Sequence, residues 1–573
     1  MRLRILEIII LICFLSLLLG LSYTQVIRSH YYLELSRKNS IRVIPQSAMR
    51  GNIFDRKGRI LATSRMSFDL SLIPQGLSKK NHIFLRLAQI LAEDPSDLSK
   101  AYQKGYGLAF APVVIKQDIS RDEAVAIENN SLELDGVIIQ QDPQRAYPNF
   151  KIASHILGYL GKIDPFKLTR LKNYGYSVKD TVGCDGIEEK LDAYLRAEGG
   201  GTQIEVDNLG RQVRVLGTKL PQRGKDVQLT IDLDLERICY NLLEGKTGAI
   251  IVMDPTSAEI LSLVSSPGFD PNIFSQKNRD SLARRRLILN NSDAPLLNRA
   301  ISGRYSAGSL FKIVTSLAGL STKKISKNTN FLCTGGLIVG QRKFSCWSVH
   351  GDENIEDALC HSCNAFFYRL GILAGPDAIY NWATKLGFGR PTGIELPNES
   401  SGFIPSRRWR LSSRGEHWYD GDTANLSIGQ GEVLVSPLQM VRMIAVVANG
   451  GYLITPHIIR TVDNKALVRP LPINLGLDKS ILATVKSGLL RVVEDSRGTA
   501  NCLKFDNLKI AGKTATAQVG SGKPHAWFSG FFPFENPRYV FVVLLEHGGG
   551  SQAAVTLSRQ LIEEMIKGGF IAN

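Results

Sequence analysis

Apolar residues are arranged in three different ways along this 573-residue chain. From Ile5 to about Tyr23 they run almost unbroken, interrupted only by Glu7, and a stretch of that length can just span a bilayer. From about Val26 to Gln228 the runs are short and mixed with polar residues. That region reads as an extended, strand-rich module, with Gly199-Gly200-Gly201 signalling a turn or linker near its end. After Leu229 the pattern becomes regular. Leu233 to Leu243 predicts a helix. Gly248 to Met253 predicts a buried strand that ends at Pro255, with Ile260 to Val264 as its hairpin partner. Trp527 to Phe532 and Tyr539 to Leu545 predict two more strands, Lys513 to Gln518 an edge strand, and Val555 to Ile566 an amphipathic closing helix. Helices are expected from Phe311 to about Gly389. First and last segments would then share one antiparallel sheet flanked by helices, an α+β domain.

A chain of this length exceeds a single core. The pattern divides it into a tip at 1–4, a membrane anchor at 5–24, an elongated pedestal at 25–228 and a larger domain at 229–573. Arg2 and Arg4 precede the apolar stretch, which by the positive-inside rule places the remainder outside the membrane. No Ala-x-Ala-like cleavage site follows, so the expectation is an uncleaved, single-pass signal anchor in the cytoplasmic membrane. The net charge is +16. No nucleic-acid-reading motif or stacking-aromatic run accompanies it, so no nucleic-acid partner is expected. A basic exterior near anionic lipid or wall polymer accounts for the charge.

The chemistry centres on Ser309-Leu310-Phe311-Lys312, which sets a hydroxyl and an amine one helical turn apart on the same face. Burial can lower the pKa of such a lysine until it accepts the serine proton. The tetrad alone is ambiguous, because Ser321 and Lys324 have the same spacing. Two later motifs separate them. Ser362-Cys363-Asn364 adds a hydroxyl and an amide, and Lys513-Thr514-Ala515-Thr516 adds a lysine and two hydroxyls on the predicted edge strand. The literal Lys246-Thr247-Gly248 precedes Ser309 and leads into the first strand, so it is in the wrong place to take part.

In this order the three motifs resemble the Ser-x-x-Lys, Ser-x-Asn and Lys-Thr-Gly signature of the penicilloyl-serine transferases. From about residue 40 onward the chain resembles a class B, monofunctional penicillin-binding protein. The resemblance also rests on Arg50-Gly51-Asn52-Ile53-Phe54-Asp55-Arg56, on Ser427-Ile428-Gly429-Gln430-Gly431 and on Gly498-Thr499-Ala500. The segment His525-Ala526-Trp527-Phe528 points to the elongation-type penicillin-binding protein 2 branch rather than to a septal division enzyme or a β-lactam-binding sensor or scaffold. The resemblance implies a peptidoglycan D,D-transpeptidase that takes stem peptides ending in D-Ala-D-Ala, is acylated by β-lactams and needs no cofactor for its chemistry. It implies Ser309 as nucleophile, Lys312 as its base, Ser362 as proton relay tuned by Lys513, Asn364 on the substrate amide, and Thr514 and Thr516 on the terminal carboxylate. Partners implied are a SEDS-family glycan polymerase, docked on the pedestal, and other elongation-complex proteins. The chain departs from the family pattern at Leu310, where threonine is usual, and at Ala515, where glycine is usual; both predict altered β-lactam acylation.

Four of the eight cysteines crowd together at Cys333, Cys346, Cys360 and Cys363. With His350 they give Cys-x12-Cys-x3-His-x12-Cys, a donor set suited to tetrahedral zinc through Cys333, Cys346, His350 and Cys363. A Cys333–Cys346 disulfide, free buried thiols, or Cys360 in place of Cys363 are the alternatives.

Overall fold

The computed structural model describes residues 2–74, 80–105, 112–178, 180–207, 212–276, 279–520 and 522–571. Two compact units emerge. The first comprises residues up to 50, 65–144 and 196–224, and the second comprises 51–64, 145–195 and 225–573.

The first unit begins with the apolar helix. Leu3–Ile27 has no part of its span buried and, among the described residues, is the one helix long and apolar enough to cross a membrane. It fits a single-pass anchor. A three-stranded antiparallel sheet follows from Ile41–Gln46, Gly200–Val206 and Gln212–Lys219. The glycine triplet, expected as a turn or linker, instead opens the central strand of this sheet. A Cβ on Gly200 would sit 2.3 Å from the Lys219 carbonyl oxygen, so the need for glycine there is close backbone approach rather than a turn. A small core of Leu70, Leu72, Leu87, Leu98, Ile119 and Ile127 joins a second strand pair, the end of Ile60–Leu72 with Val113–Ile119, to helices Lys80–Leu91, Pro95–Gly105 and Arg121–Asn129.

The second unit is built on five strands. Its helix α1 (Leu233–Leu242) precedes strands β1 (Gly248–Met253) and β2 (Ile260–Ser266), and the chain returns at its end with β3 (Ala511–Ala517), β4 (His525–Phe532), β5 (Tyr539–Leu545) and a closing helix (Gln552–Lys567). The strands are antiparallel in the order β2-β1-β5-β4-β3. Alternation decides which residues go where. Ala249, Ile251, Met253, Trp527, Val542 and Leu544 pack in one apolar cluster; Ile250, Val252, Phe528, Phe541 and Val543 pack in another with Leu235, Val555, Leu561 and Met565 of the flanking helices. Both faces of the sheet are thus covered, which is why its strands read as unbroken apolar runs. Each fully buried side chain of this kind is worth about 1.5–3 kcal/mol.

The segment Gly51–Ser64 joins this unit through Ile53, Leu61 and Ala62, which lie in its apolar core, through the pairing of Ile53–Phe54 with Val227–Gln228, and through a buried carboxylate. Asp55 is fully buried and accepts hydrogen bonds from Lys57 N and Arg59 N at 2.8 Å, from Arg59 Nε at 2.8 Å and from Leu233 N at 3.3 Å. Its carboxylate therefore satisfies a donor at the start of α1, where the helix dipole favours an anion. The expected helical centre is interrupted: residues 331–353 form two short ribbons, Phe331–Cys333 with Gly351–Glu353 and Gly336–Val339 with Arg342–Ser345.

Candidate active site

Ser309 lies in a single tight turn, Gly308–Phe311, that runs into a helix Lys312–Ser321. The turn is held from below by backbone. Gly308 N donates to the Gly429 carbonyl at 2.9 Å, and a Cβ on Gly429 (φ +69°) would lie 2.4 Å from Gly308 O. Only glycine fits, and the Ser427–Gly431 loop is thereby fixed under Ser309. Leu310 is fully buried in the core and does not line the cleft, so the threonine-to-leucine departure removes no hydroxyl from the cleft wall.

Lys312 is fully buried, and Nζ donates to Asn364 Oδ1 at 2.7 Å, to the Ser362 carbonyl at 2.8 Å and to Ser362 Oγ at 3.2 Å. Burial pushes its pKa down to about 8, with Cys363 and Cys346 acting weakly the other way. Ser362 stands at φ +55° in the turn between helices Ile355–Cys360 and Asn364–Ala374. This turn puts Ser362 and Asn364 on the cleft wall and Cys363 behind it. A serine in the left-handed region is held there by its surroundings, here the Cys363 N bond to Ala358 O at 2.9 Å and the grip of Lys312 on both Ser362 oxygens.

The opposite wall is β3, the sheet's edge strand. Lys513 is fully buried, with Nζ donating to Thr514 O at 3.2 Å, and it does not line the cleft. Burial, and then the charge of Lys312, depress its pKa well below that of an ordinary lysine. Thr514, Ala515 and Thr516 do line the cleft. Thr514 Oγ1 lies 2.8 Å from Thr499 Oγ1, and Thr516 Oγ1 accepts from Ser551 N at 3.1 Å. A Cβ on Gly308 would approach Thr516 O to 3.1 Å and the Ala515 methyl to 3.4 Å, so the Ser309 turn packs directly on this strand.

The cleft between the walls encloses about 840 Å³. Its lining brings Ser309, Ser362, Asn364, Thr514 and Thr516 together. It also includes Trp347, Asn425, Gln430, Thr499, Gln518 and Ser551, which the sequence did not single out as site residues, and the cations Arg342 and Lys343; among the described residues its lining includes no acidic one. Thr499, Gln430 and Asn425 lie in or beside the Gly498–Ala500 and Ser427–Gly431 motifs, which was the available signal. Neither decoy is present. Ser321 ends the helix that Lys312 begins, and Lys246 Nζ bonds Leu242 O beside the start of β1.

Behind the Ser362–Asn364 wall, the donor atoms of Cys333, Cys346, His350 and Cys363 all lie within 4.8 Å of one another. His350 Nδ1 is 3.6 Å from both Cys333 Sγ and Cys346 Sγ. Tetrahedral zinc with bonds of about 2.3 Å to sulfur and 2.0–2.1 Å to nitrogen has S···N edges of about 3.6 Å, so the residues fit that ion. All eight cysteines are free thiols. Cys360 is not in this group; its Sγ lies 3.3 Å from Arg491 O. The Cys346 thiol is drawn well down by a hydrogen bond from Cys363 and by backbone N–H groups, while Cys363 is pushed up as the donor of that bond and by burial. Asn364 N donates to Cys346 Sγ at 3.2 Å, so the cluster and the cleft wall share a bond.

Residues 248–566 match the penicillin binding protein transpeptidase domain and residues 45–229 the penicillin-binding protein dimerisation domain. Peptidoglycan D,D-transpeptidase MrdA of Haemophilus influenzae is 30% identical over 592 aligned residues, which cover 96% of this chain and 90% of that protein. The penicillin-binding protein PBP2 of Helicobacter pylori, solved in complex with MreC, is similar in structure with a TM-score of 0.82 at 29% identity, over 93% of this chain and 99% of its own. A chain of a peptidoglycan synthase complex that coordinates polymerization and crosslinking gives a TM-score of 0.75 at 29% identity, over 98% of this chain and 97% of its own. This chain belongs to the penicillin-binding proteins, as a class B member of the elongation-type PBP2 branch. It is accordingly a serine-type peptidoglycan D,D-transpeptidase.

Proposed function

We propose that Ser309 attacks the penultimate D-alanine carbonyl of a stem peptide and that Lys312 takes its proton. The observation that carries this reading is the placing of Lys312 Nζ, one turn after Ser309, on Ser362 Oγ and Asn364 Oδ1. As an ammonium, Lys312 spends all three donors on the Ser362 carbonyl, Ser362 Oγ and Asn364. A pKa near 8 leaves roughly a tenth of it as free amine near neutral pH. The free amine has a lone pair for the Ser309 proton, and the Ser362 hydroxyl can turn to donate where it had accepted. That reversal makes Ser362 a path for the proton to the leaving D-alanine amine. Lys513, buried behind the strand, acts on this pair through its charge rather than by touching substrate.

Thr514 and Thr516 hold the terminal carboxylate, Asn364 holds the substrate amide, and the backbone N–H groups of Ser309 and Thr516 form the oxyanion hole. An amine of a second stem peptide then displaces Ser309 from the acyl-enzyme and closes the crosslink. In the same reading the Cys333, Cys346, His350 and Cys363 donors hold zinc, which supplies no chemistry and braces the Ser362–Asn364 wall. The anchor leaves the catalytic unit outside the cytoplasmic membrane, where the first unit meets a SEDS-family glycan polymerase. The relative in a complex that couples polymerization to crosslinking supports that partner. Labelling with fluorescent penicillin tests the assignment. Ser309→Ala is expected to lose labelling by at least ~10³-fold while Ser321→Ala keeps it, and the reverse result sinks the proposal.

A further inference from the structure

A second group of metal-type donors lies beside the Cys333–His350 cluster, with the His361 ring stacked on His350 at 5.9 Å between centroids. Cys360 Sγ, a ring nitrogen of His361 and a carboxylate oxygen of Asp495 are within 4.8 Å of one another. Cys360 is fully buried and His361 is 5% exposed. His361 Nδ1 lies 2.8 Å from Glu353 Oε1, which leaves Nε2 buried and without a hydrogen-bond partner among the described residues. Buried ring nitrogens nearly always find a partner, so an orphan needs an explanation. The pairing with Glu353 supplies one. A carboxylate on Nδ1–H fixes the tautomer whose Nε2 lone pair is free, the arrangement in which metal-ligating imidazoles are usually held.

We infer that Cys360, His361 and Asp495 bind a divalent cation of the zinc class, with water completing a four-coordinate shell. One thiolate, one imidazole and one carboxylate are the donor types that such an ion accepts. The present bonds of these groups do not block it. Asp495 accepts from Arg497 N at 2.9 Å and from Arg491 Nη2 at 3.2 Å. Arg491 also holds Asp357 at 2.7 Å, so it keeps a carboxylate partner when the cation takes an Asp495 oxygen. Among the described residues the hydrogen-bond partner of the Cys360 sulfur is a carbonyl, Arg491 O, at 3.3 Å. The site has a route to the cleft: Thr499 N donates to Cys360 O at 3.4 Å, and the Thr499 hydroxyl meets Thr514. A cation here ties the 495–499 loop to the end of the helix that precedes Ser362.

Metal counting on the full-length, detergent-purified chain, equilibrated with zinc and passed over a desalting column, tests the site. The wild type is expected to retain two equivalents per chain. Asp495→Asn, a partly exposed position, and His361→Gln are each expected to lose one equivalent while still being labelled by fluorescent penicillin. Cys346→Ser is expected to lose the other equivalent and keep this one. With cobalt(II) in place of zinc, Asp495→Asn should remove the weaker, single-thiolate charge-transfer band and leave the intense three-thiolate band. A zinc count that neither Asp495→Asn nor His361→Gln lowers overturns the inference. Loss of no zinc in Cys346→Ser would instead count against the four-donor site and leave this one standing.

Discussion

The two walls of the cleft are built by different physics. The β3 wall belongs to a sheet covered on both faces, with Trp527, Phe528, Phe541 and Val542 all fully buried behind it. Its geometry follows from apolar packing and an antiparallel ladder that runs from Ala511↔Phe531 to Ala517↔His525. The Ser362–Asn364 wall has short helices, two-stranded ribbons and a serine at positive φ, and its polar grip comes from Lys312 and from the sulfur cluster behind it. A ladder with two cores fixes its residues without help. A turn stabilised by a few polar donors is only as rigid as those donors are satisfied. The nucleophile sits where the two walls meet, and its turn packs on the rigid one.

This contrast can be broken at several points. The largest effect is expected at Lys312, which the softer wall holds. Lys312→Met should lower penicillin acylation by about 10²–10⁴-fold, measured by stopped-flow labelling. In the wild type the acylation rate should rise with pH and level off above about 8, because the neutral amine is the base and its fraction falls tenfold per unit below the pKa. A rate independent of pH between 6 and 9 would rule out Lys312 as base.

Next comes the cluster behind the same wall. Cys346→Ser removes a donor of the proposed zinc site and the acceptor of Asn364 N, and should cut acylation roughly tenfold, with loss of zinc if the proposal holds. Chelation of the wild type should reproduce the loss. Equal acylation with and without metal would show that the wall stands unaided. Gly429→Ala probes the support beneath the nucleophile. With φ at +69° and only 2.4 Å to Gly308 O, the methyl should cost about 1–3 kcal/mol, read as a drop in Tm. The smallest effect is expected on the rigid wall itself. Ala515→Gly removes a methyl that lines the cleft and should change acylation by less than about fivefold, with a loss of stability near 0.5–1 kcal/mol. A larger kinetic change would mean that β3 gates substrate entry.

The same contrast explains what could be read from the chain. Strands β1, β2, β4 and β5 were legible because burial on both faces writes an apolar run, and β3 because an apolar lead precedes Lys513. The ribbons between Phe331 and Glu353 were not, because strands of three or four residues carry no period to detect and the flanking helices suggested more helix. Ser309, Ser362, Asn364 and Lys513 were picked out by order and spacing. Thr499 and Trp347 were not, because each reaches the cleft by a tertiary contact, Thr499 through Thr514 and Trp347 by donating to the carbonyls of His361 and Ser362 at 3.1 and 3.3 Å. The location of Lys513 was legible, but its burial behind the strand was not. The joining of Gly51–Ser64 to the second unit also escaped, since it rests on Ile53–Phe54 pairing with Val227–Gln228 and on Asp55 meeting Leu233 N, both across long gaps in sequence.

The glycine contact beneath Ser309 constrains how this enzyme can change under antibiotic selection. Positions whose neighbours are main-chain atoms, such as Gly308 and Gly429, have no side chain that can move aside to accept a larger residue. The exposed side chains of the cleft lining, among them Arg342, Lys343, Trp347 and Gln518, meet no such main-chain barrier and leave room for change.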